Sequence, residues 1–180
     1  MLKQRNVALV AVLTLLVSGA FAVAGATARG QGATPASGGG AGDPVLGDEV
    51  QYLDEDGDEI AVVTAIDLTD PFEDFEEFFN PKKGVRYLAL EITVESTGGE
   101  VEADPFDFGI QTSDGFFLGG GAYVGREDGA DPPEFETTEV EEGDTVTGVI
   151  FYEVPEDAEL SRLFWQPETE RLVLVADLRG

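Results

Sequence analysis

The sequence predicts an all-β fold, an antiparallel β-sandwich, on three observations. Apolar residues recur at a period of two through most of the chain beyond residue 45, as half-buried strands require because successive side chains point to opposite faces. The alternating runs are short, and Gly, Asp and Pro turns separate them, the punctuation of a sandwich. Only one segment has helical spacing, and no internal repeat is present.

The chain opens on "MLKQRN", with Lys3 and Arg5, followed by the uncharged run Val7 to Val17 and a small-residue stretch. A positive start, an apolar run of this length and an A-x-A site make residues 1–28 a secretory signal. "ATA", Ala26 to Ala28, suits cleavage before Arg29, and "AVA", Ala22 to Ala24, is the second choice. The alternative is an uncleaved anchor, because residues 7–28 match the length of about 20 residues that crosses a bilayer as a helix. Either form puts the remainder outside the cytoplasm, secreted or tethered to the membrane. Residues 29–44, "RGQGATPASGGGAGDP", have no apolar periodicity and form a flexible, disordered linker. Residues 45–180 are the size of one domain with a core of its own.

In that domain "DEVQYL" and "EIAVVTAIDL" are the first two strands. In the second, Ile60, Val62, Ile66 and Leu68 alternate with Ala61, Val63, Ala65 and Asp67. "DEDGDE", Asp54 to Glu59, joins them. Asp56-Gly57 is a hairpin signal, since both residues tolerate positive φ. Asp54, Asp56 and Asp58 alternate as calcium ligands do, which makes them the candidate metal residues and weak calcium binding the alternative role. Gly57 falls at the fourth position rather than the sixth, however, and no bidentate Glu follows at the spacing of a calcium loop.

"TDPFEDFEEFFNPKKG", Thr69 to Gly84, is the helical exception. Asp70 can cap, Pro71 suits the first helical position and Glu73 completes a capping box. Phe72, Phe75 and Phe79 then share one helical stripe, ended by Asn80-Pro81. This helix either closes the sandwich with its rings in the core or presents the three rings to a partner. Lys82, Lys83 and Arg86 offset the neighbouring acids.

In "VRYLALEITVES" Leu88, Leu90, Ile92 and Val94 share a face opposite Tyr87, Ala89, Glu91 and Thr93. In "PFDFGIQTSDG" Phe106, Phe108 and Ile110 line one side before an Asp-Gly turn. "FFLGGGAYVG", Phe116 to Gly125, is a strand with a bend; it opens no helix and so cannot act as a phosphate loop. Residues 125–144 are an acidic, solvated loop running into a strand. In "DTVTGVIFYEVP" Val146, Ile150, Tyr152 and Val154 alternate and Pro155 ends the strand. "RLFWQPE" and "RLVLVADL" complete the set, with Trp165 and Tyr152 in the core rather than serving as sugar platforms.

The segments "VRYLALEITVESTGGEVEADPFDFGIQTSDG" and "VEEGDTVTGVIFYEVPEDAE" resemble the secreted immunoglobulin-like, telokin-like domain of unknown function of bacterial exported proteins and lipoproteins, akin to a mycobacterial secreted antigen. The resemblance rests on the turn Ser96-Thr97-Gly98, then on Asp107, Phe108, Ile110, Asp114 and Gly115. It ends on Gly143, Asp144, Gly148, Tyr152, Val154 and Pro155. It covers Gly47 to Leu178, and implies an immunoglobulin-like sandwich outside the cell, with no known enzymatic activity and no catalytic residue to carry over. The lipid-anchoring Cys of lipoproteins is absent, and the phenylalanine-rich segment departs from the pattern.

Composition narrows function further. There is no His and no Cys, so Ser-His-Asp and Cys-His catalysis, thiolate zinc and disulfides are excluded. With 37 acids, 10 bases and a net charge of -27, neither nucleic acid nor an anionic membrane surface is a partner, since both select basic patches. Salt adaptation, cation binding and solubility each account for such acidity. Carboxylate pairs could cleave glycosides, but in so acidic a chain pairs occur by chance. The expected function is therefore a non-enzymatic extracytoplasmic module without a cofactor, which contacts an unidentified protein at the cell surface or in the medium.

Overall fold

The computed structural model describes residues 42–168 and 171–179. The predicted signal, residues 1–28, and the linker up to residue 41 lie outside them. Two four-stranded antiparallel sheets form an immunoglobulin-like sandwich. The first has the order β1 (Glu49–Leu53), β2 (Glu59–Phe72), β3 (Val85–Ser96) and β8 (Thr145–Pro155). The second has the order β10 (Arg171–Asp177), β9 (Leu160–Glu168), β5 (Phe108–Thr112) and β6 (Phe117–Gly119). A two-stranded ribbon pairs β4 (Val101–Ala103) with β7 (Thr138–Val140).

The core lies between the sheets. Leu88, Leu90, Ile92 and Val94 of β3 are fully buried, beside Ile150, Tyr152 and Val154 of β8. Facing them are Phe108 and Ile110 of β5 and Leu163 and Trp165 of β9. The Trp165 ring stacks on Phe108 at 5.8 Å and meets Tyr52 edge-on at 5.3 Å, both favourable aromatic geometries. In β3 and β8 the period-two pattern therefore holds, with Val146 half-buried at the start of β8.

β2 differs in which face it buries. Ala61, Val63 and Ala65 are buried, whereas Ile66 is exposed. The pairing with β3 sets this: Val63 lies opposite Val94 and Ala65 opposite Ile92. Ile66 is then an extra residue, because Asp67 pairs with Glu91. Such a bulge reverses the parity of the strand, so Leu68 comes opposite Leu90 and packs against the core.

The predicted helix after Thr69 does not form. β2 continues through Asp70 to Phe72, which pairs with Tyr87, and the sole helical turn in this segment is the 3₁₀ turn Glu77–Phe79. The Asp70 carboxylate, available in principle as a cap, is taken instead by Arg86. Phe106 also departs from expectation. It sits exposed in the 3₁₀ turn Pro105–Asp107, because Asp104 accepts the Phe106 N–H at 2.8 Å and Pro105 starts the turn. β5 begins only at Phe108.

Residues 125–144 are more than a solvated loop. They contain β7, and Phe135 is buried in the core against Phe108 at 6.0 Å. The strap 133–135 runs parallel along β8: Val149 N–H donates to the Pro133 carbonyl at 2.8 Å, and Phe135 N–H donates to the Val149 carbonyl at 2.9 Å. The packed domain also takes in the end of the linker. Pro44 is buried and its carbonyl accepts the Asp177 N–H, while Asp43 pairs with Arg162 at 3.2 Å.

Candidate functional site

The "DEDGDE" segment is the connection between β1 and β2. Asp54 Oδ1 accepts the N–H groups of Asp56 at 2.8 Å and Asp58 at 2.9 Å, and Asp54 N–H donates to the Asp58 carbonyl at 2.8 Å. Gly57 alone takes positive φ, at 91°, so the turn is a five-residue loop held by an Asp side chain rather than a two-residue turn with both φ positive. The amide of Asp58, then those of Asp56 and Gly57, hold the Asp54 carboxyl below the usual carboxylate range. Its stabilising effect is present above the ordinary Asp range and is lost as pH falls through the lower folded value. Asp54 is thus directed at its own backbone. Among the described residues no three carboxylates gather where they could hold a metal ion, and Asp54, Asp56 and Asp58 are no exception.

Calcium added to the full chain is expected to raise the thermal midpoint no more than sodium chloride at equal ionic strength. A saturable, calcium-specific rise that disappears on changing Asp54, Asp56 and Asp58 to Asn would instead make the loop a metal site.

The phenylalanine segment folds back over the outer face of the first sheet. There Tyr87 and Ala89 of β3 and Val149 and Phe151 of β8 form a second buried cluster with Val124. Phe72 meets Phe151 at 5.1 Å, and Phe75 meets Tyr87 edge-on at 5.5 Å. Both rings are half-buried and hold the segment down. Phe79 is also half-buried, against Gly125, where a Cβ would fall inside its ring. It meets Tyr123 at 5.4 Å. Glu76 N–H donates to the Gly125 carbonyl at 2.9 Å, fastening the segment to the loop after β6.

What faces water is different from what the helical stripe predicts. Phe78, outside that stripe, is 93% exposed, and Tyr123 is 72% exposed. Beside Tyr123 a concavity of about 520 Å³ is bordered by Phe79 and Tyr123 and by the carboxylates of Glu76, Glu127, Asp128, Glu134 and Glu136. Phe78 borders an adjoining hollow with Asp74, Glu76, Glu77 and Glu127, so Glu76 and Glu127 belong to both. The one base of the Tyr123 concavity, Arg126, is committed: the guanidinium sits 5.7 Å over Phe151 and Nη1 donates to the Pro132 carbonyl at 2.9 Å. Burial, and next the Glu136 charge, push the Glu134 carboxyl up. Two adjoining acidic hollows, each with an exposed ring, can accept a cationic surface with an apolar component. Phe78, Tyr123 and Arg126 were not singled out from sequence. The only available signal was that Arg126 is the sole base in residues 125–144.

At the end of the sandwich where β2 finishes, Arg86 forms a fork. Nε donates to Asp70 Oδ1 at 2.6 Å and Nη2 to Asp70 Oδ2 at 2.9 Å. Nη2 also donates to the Ala158 carbonyl at 2.9 Å and Nη1 to the Pro155 carbonyl. Donating these hydrogen bonds to Asp70 raises the Arg86 pKa further above its ordinary value. One side chain thus joins β2, β3 and the β8–β9 turn.

The family profile described as "Domain of unknown function (DUF4352)" matches residues 55–169. Among solved structures, the secreted protein MPT63 of Mycobacterium tuberculosis has a TM-score of 0.59 at 19% identity, covering 81% of this chain and 99% of its own. The yjhA protein of Bacillus subtilis has a TM-score of 0.49 at 16% identity, covering 76% of this chain and 86% of its own. No curated protein sequence matches the chain.

Proposed function

The chain belongs to the DUF4352 family, and on that premise we propose that it is a non-enzymatic binding module working outside the cytoplasm, where it docks a cationic protein partner. The observation that carries this reading is the pair of exposed rings, Phe78 and Tyr123, one at each of two adjoining acidic hollows that share Glu76 and Glu127. Large exposed rings are uncommon on a surface that only needs to stay dispersed. Phe72 and Phe75 anchor the segment on Phe151 and Tyr87. The extracytoplasmic placement is supported by the charged, apolar and small-residue order of residues 1–28. The absence of His and Cys supports a binding role over catalysis.

The test is site-specific photocrosslinking in host cells producing the full chain. Benzoylphenylalanine in place of Phe78 or Tyr123 is expected to give a discrete protein adduct, lost when Glu76 and Glu127 are changed to Lys. The same probe at Leu172, half-exposed on β10, should give none. Equal background from all three positions would sink the proposal.

A further inference from the structure

A second concavity, of about 480 Å³, lies between β6 and the β8–β9 turn. Its apolar surface comes from Phe116, Phe117, Leu118, Pro155 and Ala158. Phe116 is 69% exposed and Phe117 52%, so these rings stand open to water even though Phe117 stacks on Phe164 at 5.8 Å. The volume is in the range of pockets that take a few side chains. Around this surface stand Asp114, Asp157 and Glu159. Asp114 accepts from the Thr112 hydroxyl at 2.5 Å and Glu159 from the Ser113 hydroxyl at 3.4 Å. None of the three carboxylates has a Lys or Arg within ion-pair distance among the described residues.

The walls are held in place. Ser113 N–H donates to the Glu159 carbonyl at 2.8 Å, joining the two turns. The Arg86 fork fixes the carbonyls of Pro155 and Ala158 from behind. Among the described residues β6 is also an edge strand, paired with β5 alone.

We infer that this groove binds a peptide segment in which a large apolar side chain is flanked by Lys or Arg. The apolar residue covers Phe117, Leu118 and Pro155, and the cations meet Asp114 on one turn and Asp157 and Glu159 on the other. Charge selects this occupant over a second copy of the chain, because two molecules of net charge -27 repel. Carboxylates at the rim likewise disfavour an anionic lipid surface. The surface is separate from the hollows beside Phe78 and Tyr123, sharing no lining residue with either, so either site can fail alone.

The experiment titrates the isotopically labelled full chain with the peptide acetyl-KKGLLGKK-amide and follows amide resonances. Saturable shifts are expected at residues 112–118 and 155–159. Affinity should fall at least tenfold when the two Leu of the peptide become Ser, when Phe116 becomes Ser, and when Asp157 and Glu159 become Asn and Gln. Phe116→Ser removes a largely exposed ring, and an unchanged spectrum elsewhere shows that the fold persists. No saturable shift, or equal binding of the Ser peptide, overturns the proposal. Shifts centred on residues 123–136 would move the site to the other groove and equally overturn it. Concentration-dependent dimerisation lost on Phe116→Ser would name a second copy as the occupant instead.

Discussion

Replacing Gly148 with Val is expected to lower the stability of the domain by about 3 kcal/mol, combining overpacking with lost burial of a Phe side chain. A Cβ at Gly148 would lie 2.7 Å from Phe135 Cα and 2.9 Å from Phe135 N. These are backbone atoms, so no rotamer change relieves the clash. The strap 133–135 must then leave β8, breaking the hydrogen bonds between Val149 and both Pro133 and Phe135 and drawing Phe135 out of the core. The thermal midpoint should fall by roughly 10 °C, and the Phe135 and Val149 amides should lose protection from hydrogen exchange. A change within about 0.5 kcal/mol, as for an ordinary surface site, would mean that the strap is not held where it is seen.

The second large effect is at Arg86. Changing it to Met should cost about 3 kcal/mol, since it removes several hydrogen bonds to one charged group and leaves the Asp70 carboxylate unpaired in a mostly buried place. Arg86 and Asp70 side chains are 17% and 22% exposed, so solvent screening is limited. Arg86→Lys should recover little, because an ammonium cannot span Asp70 and the carbonyls of Pro155 and Ala158 at once. Denaturant titration of Arg86→Met, Asp70→Asn and the double variant measures the coupling. Full rescue by Lys, or additivity in the cycle, would show that the fork geometry is immaterial. Because Pro155 and Ala158 line the second groove, Arg86→Lys should also weaken the peptide complex without touching its surface.

Much of the architecture was legible along the chain because strand alternation is local. β3 and β8 bury the residues that period two assigns to one face, and the C-terminal pair falls on β9 and β10. Gly148 was visible as part of a recurrent pattern, but its reason was not: the residue it must accommodate, Phe135, comes from a stretch that reads as solvated loop. The same limit applies to the sites. The groove between Leu118 and Pro155 brings together residues that no window of sequence joins. Phe78 falls outside the helical stripe of Phe72, Phe75 and Phe79, and the stripe itself follows a period the backbone does not adopt.

The all-β class, the strand faces of β3 and β8, the turn at "DEDGDE" and the lack of His and Cys side chains are all readable along the chain. These depend on residue type and near-neighbour spacing, which the chain carries wherever it folds. Tertiary structure alone decided the parity of β2, where pairing with β3 extrudes Ile66, and the loss of the helix after Thr69. There Arg86, sixteen residues on, captures the Asp70 carboxylate. It also decided which rings are exposed, because that depends on the surfaces brought against them from distant strands.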